Sequence, residues 1–148
     1  ASEKSFWDVI KLSKAPIICS HSSSMAMCKH DRNLTDEQLK ALAQNGGVAQ
    51  VCLLDRYINE DYKNASLTDA IEHIDHMVKV AGIDHVGIGS DFDGGGGIIG
   101  CESDNDFIQI TVKLIEKGYT EEDIAKIWGG NLMRVLDEVQ ATASVKTL

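Results

Sequence analysis

Two apolar segments that end in polar side chains constrain the fold of this chain more than any other feature. Residues 15–24 read APIICSHSSS, so that an apolar run stops at His21, and residues 84–94 read DHVGIGSDFDG and end in Asp91 and Asp93 before a run of glycines. A continuous apolar run is typical of a strand covered on both faces of a parallel sheet. Side chains at the carboxyl ends of such strands face the opening where parallel sheets bind ligands. Both segments therefore predict a site at that end.

Helical patterns alternate with these strands, as in parallel βαβ units. Strands are predicted at residues 16–20, 48–54 and 86–89, and helices at residues 5–13, 36–45, 67–80 and 105–117, with two more after Thr120 and from Asn131. Thr35 and Ser66 are suited to cap the second and third helices. Residues 55–66 and 94–100 are predicted to be loops. The chain is thus expected to have an α/β fold with three parallel strands joined by right-handed crossovers.

The charge balance of the chain excludes two classes of partner. There are 14 Lys and Arg residues against 23 Asp and Glu residues, and the formal net charge is −9. Nucleic acids and anionic membrane surfaces both favour clustered basic side chains, and the sequence has no basic stripe. No apolar stretch approaches the ~20 residues that cross a bilayer, and residues 1–4 do not resemble the start of a signal peptide. We expect neither a nucleic-acid partner nor a transmembrane segment.

The four cysteines, Cys19, Cys28, Cys52 and Cys101, form no Cys-x-x-Cys pair. Cys19 and Cys52 fall inside predicted buried strands, where a cysteine behaves as a small apolar residue. This distribution favours a reducing compartment, so a cytoplasmic location is expected.

His21 is the first candidate for a functional side chain. A histidine beside an apolar strand is often a satisfied core or surface residue, but its position at a strand end before Ser22 and Ser23 equally favours metal ligation. Asp91 follows the third predicted strand. Because Asp-x-Asp-Gly is also a common turn composition, the residues alone favour a turn carboxylate there.

Three other patterns suggest sites that the sequence does not support. His73 and Asp75 match a His-x-Asp metal-binding motif, but side chains two residues apart on a helix point in different directions and cannot bind one ion. His73 and His76 could share a helix face, but no glutamate base lies between them, as a helical zinc-protease motif requires. The glycines at 94–97 lack the Gly-Lys-Ser/Thr of a phosphate-binding loop. Cys28 or Cys101 could act as a nucleophile paired with His21, but their spacing in the sequence does not support such a pair.

Several blocks of the sequence occur in the same order in one known family. They are SHSS at residues 20–23 with Arg32-Asn33, NGGV at 45–48, HIDHMVKVAGIDHVGIGSDFDG at 73–94 and GYTEEDIAKIWGGNLMRV at 118–135. Together they resemble the carboxyl-terminal part of the membrane (renal-type) dipeptidases, zinc peptidases with an amidohydrolase-like TIM barrel. The resemblance runs from about Ala15 to Val139.

The resemblance implies a role for four residues. The family histidine aligned with His21 binds zinc, and the aspartate aligned with Asp91 is catalytic, because it moves the proton of the metal-bound water to the leaving nitrogen. The arginine aligned with Arg32 recognises the carboxylate of the dipeptide, and Tyr57 aligns with a tyrosine on the substrate side. An exposed, solvated arginine and a partly buried loop tyrosine are the alternatives at these last two positions. The implied activity is zinc-dependent hydrolysis of dipeptides by metal-activated hydroxide.

Length shows that the barrel would be incomplete. A closed (β/α)8 barrel needs about 250 residues, and this chain has 148. The other metal ligands of the family, a His-x-Asp pair, a bridging glutamate and a second strand-end histidine, have no counterpart here. We therefore predict a partial TIM barrel of about the last three βα units, in which residues 1–148 are the carboxyl-terminal segment of one domain.

An incomplete barrel has consequences for metal and partners. Two zinc ions are expected in the complete enzyme, and weak or no binding in this chain alone, because catalytic zinc takes about three protein ligands. Unpaired strand edges favour association, so we expect a missing amino-terminal half, a companion chain or an oligomer. The alternative interpretation is a non-catalytic barrel fragment that serves only as an assembling or structural piece.

Overall fold

The structure is a computed structural model that describes residues 2–144. Its helices and strands, in chain order, are α1 (Glu3–Leu12), β1 (Ile18–Cys19), α2 (Asp36–Gln44), β2 (Val48–Cys52), α3 (Asp55–Ile58), α4 (Leu67–Ala81), β3 (Val86–Ser90), α5 (Phe107–Glu116), α6 (Glu121–Ala125) and α7 (Asn131–Ser144). Short 3-10 turns occupy Tyr62–Asn64, Ile83–His85, Phe92–Gly94 and Asp104–Asp106, and a π-helical turn, Lys126–Gly130, joins α6 to α7. Over residues 2–144, no helix has the length and apolar character needed to cross a bilayer.

The three strands form one parallel sheet in the order β1-β2-β3. This arrangement confirms the predicted α/β fold with parallel strands. The first strand is shorter than predicted, since it comprises only Ile18 and Cys19 instead of residues 16–20. The side chain of Ile18 is 47% exposed, so the expectation of a strand covered on both faces is wrong there. The physical reason is that Ile18 lines an open cavity beside the edge strand β1, so its face of the strand is only partly covered.

The starts of α2 and α4 agree with the sequence because local caps determine them, whereas α1 begins two residues before and α5 two residues after the predicted start. Thr35 accepts a hydrogen bond from the backbone N–H of Gln38, and the side chain of Gln38 accepts one from the backbone N–H of Thr35. Ser66 and Asp69 form the same capping box at the start of α4. Each box satisfies two backbone donors that a helix N-terminus leaves unpaired. The predicted loop at residues 55–66 instead contains α3 and a 3-10 turn.

One face of the sheet carries the hydrophobic core. Ala49, Val51 and Leu53 of the second strand and its extension belong to this core, which also takes in side chains from α2, α4, α5 and α6 (Leu39, Leu42, Ile71, Ile74, Met77, Ile110, Leu114 and Ile124). Alternate residues of a strand point to opposite faces. Gln50 and Cys52 therefore face the other side of the sheet.

Gly89 introduces an irregularity at the carboxyl end of the sheet. Val51 pairs with Ile88 but Cys52 pairs with Ser90, so that Gly89 is an additional residue in β3. A Cβ atom at Gly89 would overlap the carbonyl oxygen of Ser20. A side chain is therefore excluded here, and its absence lets β3 approach the backbone that follows β1. Bulges of this kind commonly redirect a side chain next to a functional site.

Candidate active site

The carboxyl ends of the three strands bring the predicted site residues to one end of the sheet. His21 lies two residues after β1, and Asp91 directly follows β3. The backbone N–H of Ser22 donates to the carbonyl of Gln50 at 2.8 Å, which keeps the segment after β1 beside β2. The parallel strands thus deliver His21, Cys52 and Asp91 to the same end, as the rule for parallel sheets predicts.

Both ring nitrogens of His21 have partners. Nη2 of Arg32 lies 3.1 Å from Nε2 of His21, and Oγ of Ser20 lies 2.8 Å from Nδ1. A guanidinium can only donate, so Nε2 accepts and Nδ1–H donates to the serine. This tautomer directs the lone pair of Nε2 toward Arg32. A metal ion that approached His21 would use the same lone pair.

Arg32 is held by two aromatic rings as well as by His21. Its Cζ atom lies 5.8 Å from the centroid of the Tyr57 ring, within the range of a cation–π contact. The ring of His30 packs on Tyr57 with centroids 4.4 Å apart, and Nδ1 of His30 accepts the backbone N–H of Arg32 at 3.1 Å. The structure therefore brings together His21, Arg32 and Tyr57. The sequence did not single out His30, because nothing in its local pattern marks the ring contact.

Asn33 ties the two loops of the site together. Its side chain is only 3% exposed, and Nδ2 donates to the carbonyl oxygens of Cys28 at 2.9 Å and Tyr57 at 2.8 Å. Its Oδ1 accepts the backbone N–H of Ser23 at 3.2 Å. One buried amide thus fixes the segment after His21 relative to the segment that carries Tyr57, and it is the immediate neighbour of Arg32.

A cavity of about 550 Å³ opens beside His21 and Arg32. It extends along the edge strand β1 to α1, where Phe6 forms part of its wall. Small-molecule sites have volumes of about 300–1,000 Å³, so the space suits a small substrate. Asp91 and Tyr57 do not contribute to its lining. The expectation that Asp91 projects into the same opening as His21 therefore remains a prediction.

Asp91 contacts Cys52 at the carboxyl end of β2. Sγ of Cys52 is 3.7 Å from Oδ2 of Asp91. Burial raises the pKa of Cys52 to about 11, with Asp91 adding to that rise and Arg32 opposing it. Asp91 and Arg32 thus have opposite effects on the pKa of the Cys52 thiol. The sequence identified Cys52 only as a small buried residue.

The donor atoms present do not form a complete metal site. Among residues 2–144, no group of three His, Cys, Asp or Glu side chains is arranged to hold one ion. His21 offers one nitrogen in a suitable tautomer, so it fits as a single ligand of a metal whose other ligands come from elsewhere. Weak zinc binding by the chain alone stays a prediction.

The rejected histidine pair has a structural role. His73 is only 1% exposed, and its Nδ1 accepts the backbone N–H of Ser24 at 3.0 Å while Nε2 donates to the carbonyl of Ile58 at 2.9 Å. His76 contacts Asp36 at 2.8 Å instead of sharing a ligand with His73. Burial lowers the pKa of His73 to about 4, so its ring is neutral near pH 7. His73 joins α4 to the loop behind His21.

One known protein family matches the chain over its whole length. The family model described as "Membrane dipeptidase (Peptidase family M19)" matches residues 1–148. The chain is 41% identical over 144 residues to "Dipeptidase ataJ" of Aspergillus terreus, covering 96% of this chain and 35% of that protein. It is 37% identical over 137 residues to "Dipeptidase aclJ" of Aspergillus oryzae, covering 91% of this chain and 32% of that protein. The chain thus spans about a third of the length of these curated relatives.

Solved structures of similar proteins have the same fold over this segment. The probable dipeptidase PvdM from Pseudomonas aeruginosa superposes with a TM-score of 0.89 at 31% identity, over 95% of this chain and 49% of that one. A metallo peptidase from Rhodobacter sphaeroides, liganded with a phosphinate mimic of the dipeptide L-Ala-D-Ala, gives a TM-score of 0.86 at 31% identity, over 92% of this chain and 40% of that one. Since the family model covers every residue and these folds agree, the chain belongs to the membrane dipeptidase family, peptidase family M19.

Proposed function

We propose that this chain supplies the carboxyl-terminal part of the active site of a zinc-dependent dipeptidase. The observation that carries the proposal is the 3.1 Å contact between His21 and Arg32, which sets a single metal ligand beside a cation. In a dipeptide, the scissile amide and the terminal carboxylate are only one residue apart. A site that hydrolyses it therefore needs a metal at the amide and a cation for the carboxylate close together. The similar metallo peptidase from Rhodobacter sphaeroides carries a phosphinate mimic of a dipeptide, which supports this substrate class.

His21 is the metal ligand in this proposal. An imidazole nitrogen is an ordinary ligand of zinc, and a hydrogen bond on the other nitrogen fixes the ring for ligation. Ser20 provides that bond at Nδ1. A bound zinc ion would polarise the amide carbonyl and lower the pKa of a water molecule toward ~7. The remaining ligands have to come from outside residues 2–144.

Arg32 binds the carboxylate of the dipeptide. Its planar guanidinium can donate two parallel hydrogen bonds to a carboxylate, which a lysine cannot do. The ring of Tyr57 and the backbone contact to His30 hold the arginine in place. Tyr57 therefore contributes to substrate binding by orienting Arg32.

Asp91 is the acid–base residue. A carboxylate beside the reacting amide can accept a proton from the attacking water and return it to the leaving nitrogen. The left-handed backbone of Asp91, with φ of 71°, turns the chain away from the direction of β3 at this residue. The carboxylate then lies at the carboxyl end of the sheet, next to Cys52.

Steady-state kinetics on a dipeptide and on its carboxyl-amidated analogue test the proposal. The protein assayed is the zinc-loaded enzyme in which the missing ligands are present. Arg32→Lys keeps the charge but loses the bidentate contact, so it should raise KM for the free dipeptide and affect the amidated analogue much less. Arg56→Lys, an exposed arginine in α3, is the matched control. Equal losses on both substrates would remove Arg32 from carboxylate recognition.

The incomplete ligand set favours one other function, a non-catalytic barrel piece that acts by assembly alone. Within the described residues no three metal-binding side chains converge, and the isolated chain is expected to be inactive. Dipeptide cleavage by the completed, zinc-loaded protein distinguishes the two functions. If the completed and zinc-loaded protein cleaves no dipeptide, the structural role is the remaining explanation.

A further inference from the structure

The thiol of Cys52 touches the proposed acid–base residue. Cys52 is fully buried at the carboxyl end of β2, and its Sγ lies 3.7 Å from Oδ2 of Asp91 and 3.9 Å from the carbonyl oxygen of Ser90. An ionised carboxylate only accepts hydrogen bonds, and a thiol is a weak donor. The S–H group is therefore the donor. Across residues 2–144, it is the one hydrogen-bond partner that contacts the Asp91 carboxylate.

The thiol remains protonated in this environment. Burial raises the pKa of Cys52 to about 11, and the charge of Asp91 raises it further. A thiolate is the nucleophilic and metal-binding form of cysteine. Cys52 is thus unsuited to either of those roles at neutral pH, and donation of a hydrogen bond is the function that its environment permits.

The backbone around Asp91 is arranged to make this contact. The additional residue Gly89 shifts the register so that Cys52 pairs with Ser90, immediately before Asp91. Ser90 and Asp91 both have positive φ, at 32° and 71°. Such backbone costs free energy in residues other than glycine and persists where the surroundings impose it. The result is that the carboxylate lies between the Cys52 sulfur and Gly94, where a Cβ atom would overlap Oδ1.

We propose that Cys52 is a positioning residue for Asp91: its S–H group donates to Oδ2 and, together with the bare backbone of Gly94, holds the carboxylate in one orientation for proton transfer. The proposal rests on the proposed function, in which Asp91 is the acid–base residue. Cys52 does not line the cavity beside His21.

The hydrogen bond can be tested without any activity measurement. The S–H stretching band in the infrared spectrum of the chain is sensitive to hydrogen bonding, and Cys52→Ala identifies the band that belongs to Cys52. Asp91→Ala is expected to shift this band to higher frequency, since the acceptor is lost. Cys101→Ala, which removes another fully buried thiol, is the control and should leave the Cys52 band in place. A Cys52 band that Asp91→Ala does not move would overturn the proposal.

Kinetics of the completed, zinc-loaded enzyme then test the positioning. One hydrogen bond of this kind is expected to be worth roughly a three- to tenfold change in kcat, so Cys52→Ala should lower kcat with KM little changed. Cys52→Ser restores a donor and should recover most of the loss, which a merely structural role would not do. Wild-type kcat in Cys52→Ala contradicts positioning. A different outcome is that Asp91→Ala shifts the Cys52 S–H band but Asp91→Asn retains full turnover. That result would contradict the proposed role of Asp91 in catalysis and leave the hydrogen bond between Cys52 and Asp91 intact.

Discussion

The guanidinium of Arg32 donates to Nε2 of His21 across 3.1 Å, and that nitrogen is the one that a metal ion would need. Arg32 and a metal therefore compete for one lone pair in this geometry. In the proposed function, a substrate carboxylate would bind the same guanidinium and draw Arg32 away from His21. The contact thus links ligation at His21 to occupation of the cavity beside it.

Zinc binding by the 148-residue chain is expected to be weak, since His21 is a single ligand and catalytic zinc takes about three protein ligands. Calorimetric titration should show no tight stoichiometric site. Arg32→Met removes the competing donor and should strengthen the residual binding, whereas His21→Gln should abolish it. His76→Gln, outside the cavity, is the matched control. Tight binding by the chain alone would show that the main ligands lie within it.

Asp91→Asn should lower turnover by about 10²-fold or more in the completed enzyme, because the amide has nearly the same shape but cannot transfer the proton. Zinc occupancy should be unchanged, which metal analysis of each variant checks. Asp93→Asn, two residues further along and exposed, is the control. Equal turnover in the Asp91 and Asp93 variants would exclude Asp91 from the mechanism.

The free energy of unfolding is expected to fall on acidification from pH 6.5 to pH 4 because of His73. Burial lowers its pKa from 6.5 to about 4, so the unfolded chain takes up a proton in this range and the folded chain does not. The stabilisation is complete above pH 6.5 and lost below about pH 4, with a size of roughly 3 kcal/mol. Urea unfolding across this range measures it. The pH dependence should be much smaller in His73→Gln and unchanged in the control His85→Gln.

Asn33→Ala should destabilise the fold by about 2–4 kcal/mol, since it removes three hydrogen bonds and leaves buried backbone groups without a partner. The groups affected are the N–H of Ser23 and the carbonyl oxygens of Cys28 and Tyr57. Asn64→Ala, an exposed asparagine, should change stability by no more than about 0.5 kcal/mol. Urea denaturation of the two variants gives the comparison. Similar midpoints for both would mean that the Asn33 contacts are not stabilising.

The chain is expected to associate, with itself or with a partner that completes the sheet, because β1 is a sheet edge and Ile18 is 47% exposed there. Sedimentation equilibrium at micromolar concentration measures this. A charge on an edge strand opposes pairing, so Ile18→Lys should shift the equilibrium toward monomer. Ile108→Lys, an equally apolar and 61% exposed position on α5, is the control. A compact monomer of the unmodified chain would contradict the prediction.

The parts of the fold that sequence reasoning predicted depend on neighbouring residues. The capping boxes at Thr35 and Ser66 join residues three apart, so the starts of α2 and α4 could be read from the chain directly. The three parallel strands followed from apolar runs, and the rule on strand ends placed His21 and Asp91 at one end of the sheet.

The parts that were missed depend on contacts between distant residues. His73 meets Ser24 across 49 positions of the chain, and Cys52 meets Asp91 across 39. No local pattern distinguishes a cysteine that donates to a carboxylate from one that fills a core. The exposure of Ile18 was missed for a related reason, since it depends on the open cavity beside β1.

Gly89 also limits how the strand ends can vary. A side chain there would meet the carbonyl of Ser20, so the close approach of β3 to the segment after β1 depends on a position without a Cβ atom. A bulge bends its strand and increases the local twist. Any substitution at Gly89 would therefore have to move Asp91 away from the backbone that leads to His21, and the relative position of these two side chains depends on a residue that has no side chain.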